Sequence, residues 1–400
     1  MRADPRLTGP AADLSRRGSL ALALGGLFAA TARAAGAAEP AGWDAVDGLA
    51  NRIIADRVTP GLSISVMRGG NLVYSSGFGL ANIETATPVT PQSVFRVGSI
   101  TKQFTGAALM LLQEDGKLSV DDKLSAHLPD FPRASEITLR QMLTHTSGLG
   151  NYTNNAPHDA AWQSFRLDRD PKALFQLMTG TDPLFTSEPG THWAYSNTAF
   201  VLLGLVIEKV TGKPYAETFR QRLFEPAGLT NTAVDDAAEI VPHRATGYTL
   251  HGETEGLFDN ASFISMTAPG AAGSIRATTD DLCRWHRALF AGKVVKPESL
   301  AEMIKPGRLK TGELPPTPAG APPGTPKVIE YGFGLGTERM EGHTSIGHNG
   351  GINGFMSDIR TFPAEKVTTA ILVNIDHGKA LFPRAEALKT ALARAGLGLS

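Results

Sequence analysis

The sequence predicts an α+β fold: one antiparallel sheet assembled from both ends of the chain, flanked by helices, with a mostly helical lobe inserted over about residues 120–300. Three patterns predict it. Residues 62–67 alternate apolar and polar side chains, turn at Arg68-Gly69-Gly70-Asn71 and resume as Leu72-Val73-Tyr74, the pattern of a β-hairpin. Strand-like runs return near the other end, at 331–337, 355–362 and 367–375. Between these two regions apolar residues recur mostly at helical spacing, broken by polar loops.

Taken in order, residues 1–37 read as an export signal ahead of a single domain spanning 40–400. Arg16-Arg17 precede a short apolar run from Leu20 to Ala30, and small residues follow with an A-x-A pattern at 32–34 or 35–37. That run falls short of the ~20 apolar residues a membrane span needs. Ser15-Arg16-Arg17-Gly18-Ser19-Leu20 is similar to a twin-arginine signal, with Ser19 where phenylalanine is usual, so ordinary secretion is the alternative. Either route places the mature chain in the periplasm or outside the cell. After the hairpin, Gly77-Phe78-Gly79 reads as a strand end. A helix from Ser99 through Leu112 is predicted to stop at Gly116, and a second over 198–210 has Asn197 as its cap and Thr211-Gly212 as its end. The one cysteine, Cys283, lies in a helical run and reads as a buried structural thiol. Residues 313–326 hold six prolines and read as a mobile loop.

Composition narrows the chemistry. A chain of 400 residues, 42% hydrophobic, with a formal net charge of -1 and no Lys/Arg-rich run, lacks the electrostatic footprint of nucleic-acid or anionic-membrane binding. No His-Glu-x-x-His pattern occurs, and one cysteine excludes a thiolate zinc site, so neither metal nor cofactor is expected. His343 and His348, five apart, read as coincidence. The partner is instead a small-molecule or peptide substrate.

Ser99-Ile100-Thr101-Lys102 is the chain's only Ser-x-x-Lys. In a helix three residues advance ~300° and rise ~4.5 Å, which brings hydroxyl and amine to neighbouring places on one face. A serine nucleophile needs a base, and lysine serves only if its site depresses a pKa of about 10.4 through burial and nearby positive charge. Two further motifs accompany it, Tyr195-Ser196-Asn197 and His348-Asn349-Gly350-Gly351. Each has a decoy. Tyr152-Thr153-Asn154 shares the first spacing but lacks the proline-glycine turn before and the apolar helix after, and suits a site-rim or surface role. Lys310-Thr311-Gly312 sits beside the proline-rich loop, whereas His348 precedes a strand-like run and fits an edge strand lining the site. No Gly-x-Ser-x-Gly elbow occurs, which argues against an α/β-hydrolase.

In kind and order these motifs resemble the serine β-lactamase and penicillin-binding-protein superfamily, nearest the branch of class C β-lactamases and D-alanyl-D-alanine carboxypeptidases, over about residues 45–390. The flanking stretches 143–149 (LTHTSGL) and 189–197 (PGTHWAYSN) belong to the resemblance. It implies a β-lactamase/transpeptidase-like fold, with Ser99 as the acylated nucleophile and Lys102 and Tyr195 as the proton-transfer pair. It further implies that Asn197, His348, Asn349 and Gly350 hold the substrate and that the N–H groups of Ser99 and Gly351 form the oxyanion hole. Two departures shape the expected substrate. Class C β-lactamases carry lysine where His348 stands, and Asn349 replaces a threonine that helps bind a carboxylate. Both favour a D-Ala-type peptidase or a related esterase, acting on an amide, an ester or cell-wall fragments. A true β-lactamase acting on β-lactams is the alternative. A non-catalytic wall-fragment binder or scaffold is the reading of another class.

Overall fold

The computed structural model describes residues 42–154, 165–317 and 327–399. The expected export signal lies outside these residues, as does most of the proline-rich loop. Helix α1 (Trp43–Ala55) leads into strands β1 (Gly61–Arg68), β2 (Asn71–Asn82) and β3 (Thr87–Pro88). The chain returns to the same sheet with β9 (Gly336–Met340), β10 (His343–Ile352), β11 (Phe355–Phe362) and β12 (Val367–Val373), then ends on helix α8 (Leu381–Leu397). The strand order is β3-β2-β1-β12-β11-β10-β9, antiparallel throughout. The two ends of the chain meet where β1 pairs with β12, from Leu62 opposite Val373 to Arg68 opposite Val367.

Alternation along β1 explains both layers. Leu62, Ile64 and Val66 face α1 and α8 in one core with Trp43, Val46, Leu388 and Leu392. Ser63 and Ser65 face the other way and bond Thr279 and Asp280 at the start of helix α6 (Thr279–Phe290). Cys283 of α6 is buried between β1 and β12, and burial pushes its thiol pKa up, as suits a structural residue.

Beyond α6 lies a second, larger core built around helix α2 (Thr101–Glu114) and helix α5 (Asn197–Thr211). Every residue of α2 from Thr101 to Leu112 is buried, Lys102 and Gln103 included. Gly116, at φ +68°, ends that helix as expected. Shorter helices α3 (Leu139–Leu143), α4 (Pro171–Thr179) and α7 (Pro297–Ile304) surround this pair.

The structure corrects several boundaries. Strand β2 runs past Gly77-Phe78-Gly79 to Asn82. The lobe also holds strands β4 (Phe95–Arg96), β5 (Ala233–Val234) and β8 (Ile275–Ala277) in one small sheet, and β6 (Tyr248–His251) with β7 (Thr254–Asn260) in another. Residues 331–335 form a turn, not a strand, because Gly332 packs against the Met303 carbonyl and Gly334, at φ +75°, against the backbone of Lys102. Strand β12 stops at Val373, after which the Asn374 side chain donates to Leu80 and Thr246 carbonyls. Ser196, not Asn197, caps α5: its hydroxyl accepts from Ala199 N–H, and Asn197 is the first helical residue. Nor is β10 the outermost strand. Pairing with β9 ends at Gly347, however, so residues 348–352 run beyond it and are unpaired on that side.

Candidate active site

Ser99 occupies a single 3₁₀ turn (Gly98–Ile100) that feeds α2. Gly98, at φ +50°, sits so close to Gly351 that a Cβ would lie 2.8 Å from its carbonyl. On β10, a Cβ at Gly350 would lie 2.1 Å from the Val97 carbonyl. These two glycines let the free end of β10 close onto the serine turn. The Ser357 hydroxyl of β11 donates to Val97 O at 2.8 Å and fastens the same junction.

Lys102 is fully buried, and its amine has three polar partners: Asn197 Oδ1 at 2.8 Å, Ala272 O at 2.8 Å and Ser99 Oγ at 3.1 Å. None is a carboxylate. Burial holds its pKa well below that of an ordinary lysine, with no neighbouring cation needed. The first two partners are oxygens that can only accept, so a neutral amine spends its two N–H groups there. Its lone pair is then left for the one partner that can donate, the Ser99 hydroxyl. The amine also lies 4.8 Å from the Tyr195 ring centre and 5.4 Å from that of Phe200.

Burial drives the Tyr195 pKa above the ordinary tyrosine range, outweighing the downward pull of Ser99 close by, and this keeps it a phenol. Asn197 donates from Nδ2 to Thr153 Oγ1 at 3.3 Å while its backbone N–H donates to Asn151 Oδ1, so the amide that steadies Lys102 is itself held. His348 is buried, and burial pushes its pKa down to about 3. Its Nδ1 bonds the Asn349 carbonyl, which only accepts, so Nδ1 carries the proton and Nε2 accepts from the Tyr331 hydroxyl at 2.8 Å. The site histidine is thus uncharged.

Ser99, Lys102, Tyr195, Asn197 and His348 are therefore brought together. Asn349 and Gly351 face solvent on β10, and Gly350 is buried beneath them. Two cavities flank the serine. One, of about 190 Å³, is lined by Ser99, Asn197, Phe165, Ile264, Gly351 and Asn353. The other, of about 390 Å³, lies past Tyr195 and His348 and reaches Trp193, Tyr331 and Arg360. Arg360 is committed to Asp358 and Glu338.

Neither decoy enters the site chemically. Tyr152 lines the smaller cavity but is buried rather than superficial, and its hydroxyl donates to Ala268 O at 2.8 Å. Lys310 packs its stem on Gly190 and its N–H donates to the Gly190 carbonyl, off the sheet. Sequence reasoning missed the residues that orient the site. His145, buried at φ +58°, accepts the Ser196 N–H on Nδ1 at 3.2 Å and packs tilted against the Tyr195 ring, 4.3 Å between centres. Its place in the 143–149 stretch was the available signal. Tyr331 and the Ala272 carbonyl had none, since both reach the site from distant loops.

The β-lactamase family model matches residues 46–393. The chain belongs to the β-lactamase family. Among its relatives, penicillin-binding protein 4* of Bacillus subtilis is 31% identical across 80% of this chain, and the D-aminopeptidase of Gluconobacter oxydans 28% across 79%. The matches span 66% and 56% of those proteins' own lengths. Among solved structures, the D-amino acid amidase of Ochrobactrum anthropi superposes with a TM-score of 0.74 at 26% identity, covering 88% of this chain and 97% of that one. This family member has a mixed α+β architecture with the serine turn between sheet and lobe. Among the described residues no helix is long and apolar enough to cross a membrane.

Proposed function

We propose that this β-lactamase-family member is a serine hydrolase that cleaves an amide next to a D-configured residue, as a peptidase or amidase. The observation that carries it is the fully buried Lys102 amine, held by two acceptors and 3.1 Å from Ser99 Oγ. As Ser99 Oγ bonds to the substrate carbonyl carbon, its proton passes to Lys102. The carbonyl oxygen takes up the negative charge, stabilised by the N–H groups of Ser99 and Gly351. The C–N bond then breaks, and the leaving amine receives that proton through the Tyr195 hydroxyl. Water attacks the acyl carbon by the reverse relay, releasing the acid and restoring Ser99.

Asn197 steadies the base and the substrate amide, while His348 and Asn349 line the leaving-group side. An uncharged His348 offers no cation to a β-lactam carboxylate, which favours an amide or ester over β-lactam hydrolysis. Names borne by the relatives, a D-aminopeptidase and a D-amino acid amidase, support D-configured substrates. Residues 1–37 would direct export, so that residues 40–400 act as one hydrolase domain in the periplasm or outside the cell.

Intact mass spectrometry with D-amino acid amides, D-alanyl dipeptides and benzylpenicillin, with Ser99→Ala as control, tests this. Turnover of the D-amides with at most a slow, persistent penicillin adduct on Ser99 is expected. Fast penicillin loss would instead mark a β-lactamase, and binding without turnover or adduct a non-catalytic protein.

A further inference from the structure

The geometry points to an anion subsite beside the serine cleft, a cavity of about 310 Å³ that takes a terminal carboxylate on the acyl portion of the substrate. The inference rests on the acyl-transfer reading of Ser99. Three guanidinium groups, Arg96, Arg244 and Arg276, converge there on the fully buried carboxylate of Asp235. Arg96 Nε donates to Oδ2 at 2.8 Å, and Arg244 and Arg276 donate to Oδ1 at 2.9 and 3.2 Å. Arg276 also pairs with Glu239, which is half exposed. Asp236 gives the cluster only its carbonyl, while its carboxylate accepts from Ala238 N–H. Asp235 and Glu239 pair with these arginines and the exposed Asp236 carboxylate lies beside them, so what the cluster has in excess is guanidinium donors without an acceptor.

Arg96 carries the surplus. Only its Nε is engaged, and among the described residues nothing accepts from its two terminal nitrogens, although its side chain is only 15% exposed. A planar fork with free donors in a largely dehydrated wall matches a carboxylate.

The cavity is placed to extend the substrate site. Arg96 stands three residues before Ser99, a backbone distance of at most about 11 Å. Asn353 lines both this cavity and the one over Ser99. Residues 260–263 line the first and Ile264, next in the chain, lines the second. At the join, Asn353 Nδ2 donates to Ser262 O at 3.1 Å. An acyl chain leaving Ser99 on this side heads toward the cavity that Arg96 lines.

Two matched compounds test the subsite: D-alanine p-nitroanilide N-acylated with glutaric acid, and its analogue ending in a carboxamide. The wild-type kcat/KM ratio should favour the carboxylate about tenfold or more. That preference should shrink between 50 and 500 mM NaCl and fall toward one in Arg96→Lys and Arg244→Gln, each first checked for a native melting transition. Calorimetric binding of both compounds to Ser99→Ala separates the subsite from catalysis. A carboxylate preference there sustains the subsite even if neither compound is cleaved. Equal affinity in Ser99→Ala, or a wild-type ratio near one, would overturn it and leave the arginines as the counter-ions of Asp235.

Discussion

At the scale of single residues, the site is governed by what burial does to titratable groups. Lys102 can act as a base only because desolvation lowers its pKa, so kcat/KM should climb with pH through a value below that of an ordinary lysine. The sign follows from the amine being active when deprotonated. Removing that amine in Lys102→Met should abolish the acid limb and cost at least about a thousandfold in kcat/KM, with Ser99→Ala as severe. Tyr195→Phe should lower kcat by about a hundred- to ten-thousandfold through loss of proton transfer, while acyl-enzyme still forms slowly in a mass-spectrometric time course. Because burial raises the Tyr195 pKa, no alkaline limb from its ionisation should appear in the ordinary tyrosine range.

At the scale of elements, β10 decides whether the site exists. Gly350→Ala would set a Cβ 2.1 Å from the Val97 carbonyl, so it should push the strand off the serine turn, cost about 1–3 kcal/mol of stability and remove activity. Gly351→Ala, one residue on, meets nothing within 4 Å and keeps its backbone N–H, so the protein should melt like wild type. Equal denaturation midpoints for the two variants would show that β10 does not bear on that turn. Ser196→Ala removes the cap of α5 together with a bond from Oγ to the Gly150 carbonyl, and should cost about 1 kcal/mol or more in urea unfolding.

At the scale of the whole molecule, three histidines among the described residues are buried uncharged. His286 and His348 have pKa values pushed down to about 3, and His145 is lowered well below the ordinary value by burial. The unfolded chain binds protons on these rings at about pH 6.5, whereas the folded protein refuses them until far lower. Their contribution is therefore fully present above about pH 6.5 and is lost as pH falls toward 3, on the order of a few kcal/mol for each ring. Melting temperature should fall steadily over that window, and His286→Gln should flatten part of the slope.

By itself the sequence determined the α+β class and the pairing of N- and C-terminal strands in one sheet through alternation and local turns, and the Ser99–Lys102 pair through its spacing, whereas the grouping of Tyr195, Asn197 and His348 with that pair followed from the resemblance to the serine β-lactamase superfamily. These were legible because a nucleophile and its base sit one helical turn apart, and because alternation and glycine turns are local signals. The protonation states were not legible, since they depend on how many atoms crowd each group, and that crowding comes from α5, the Ala272 loop and Tyr331. Nor were the cap at Ser196, the turn at 331–335 or the overhang of β10 past β9, each settled by a contact with a residue far away in sequence. Tertiary structure alone lowers the Lys102 pKa, because only a closed lobe can remove the water that keeps lysine charged.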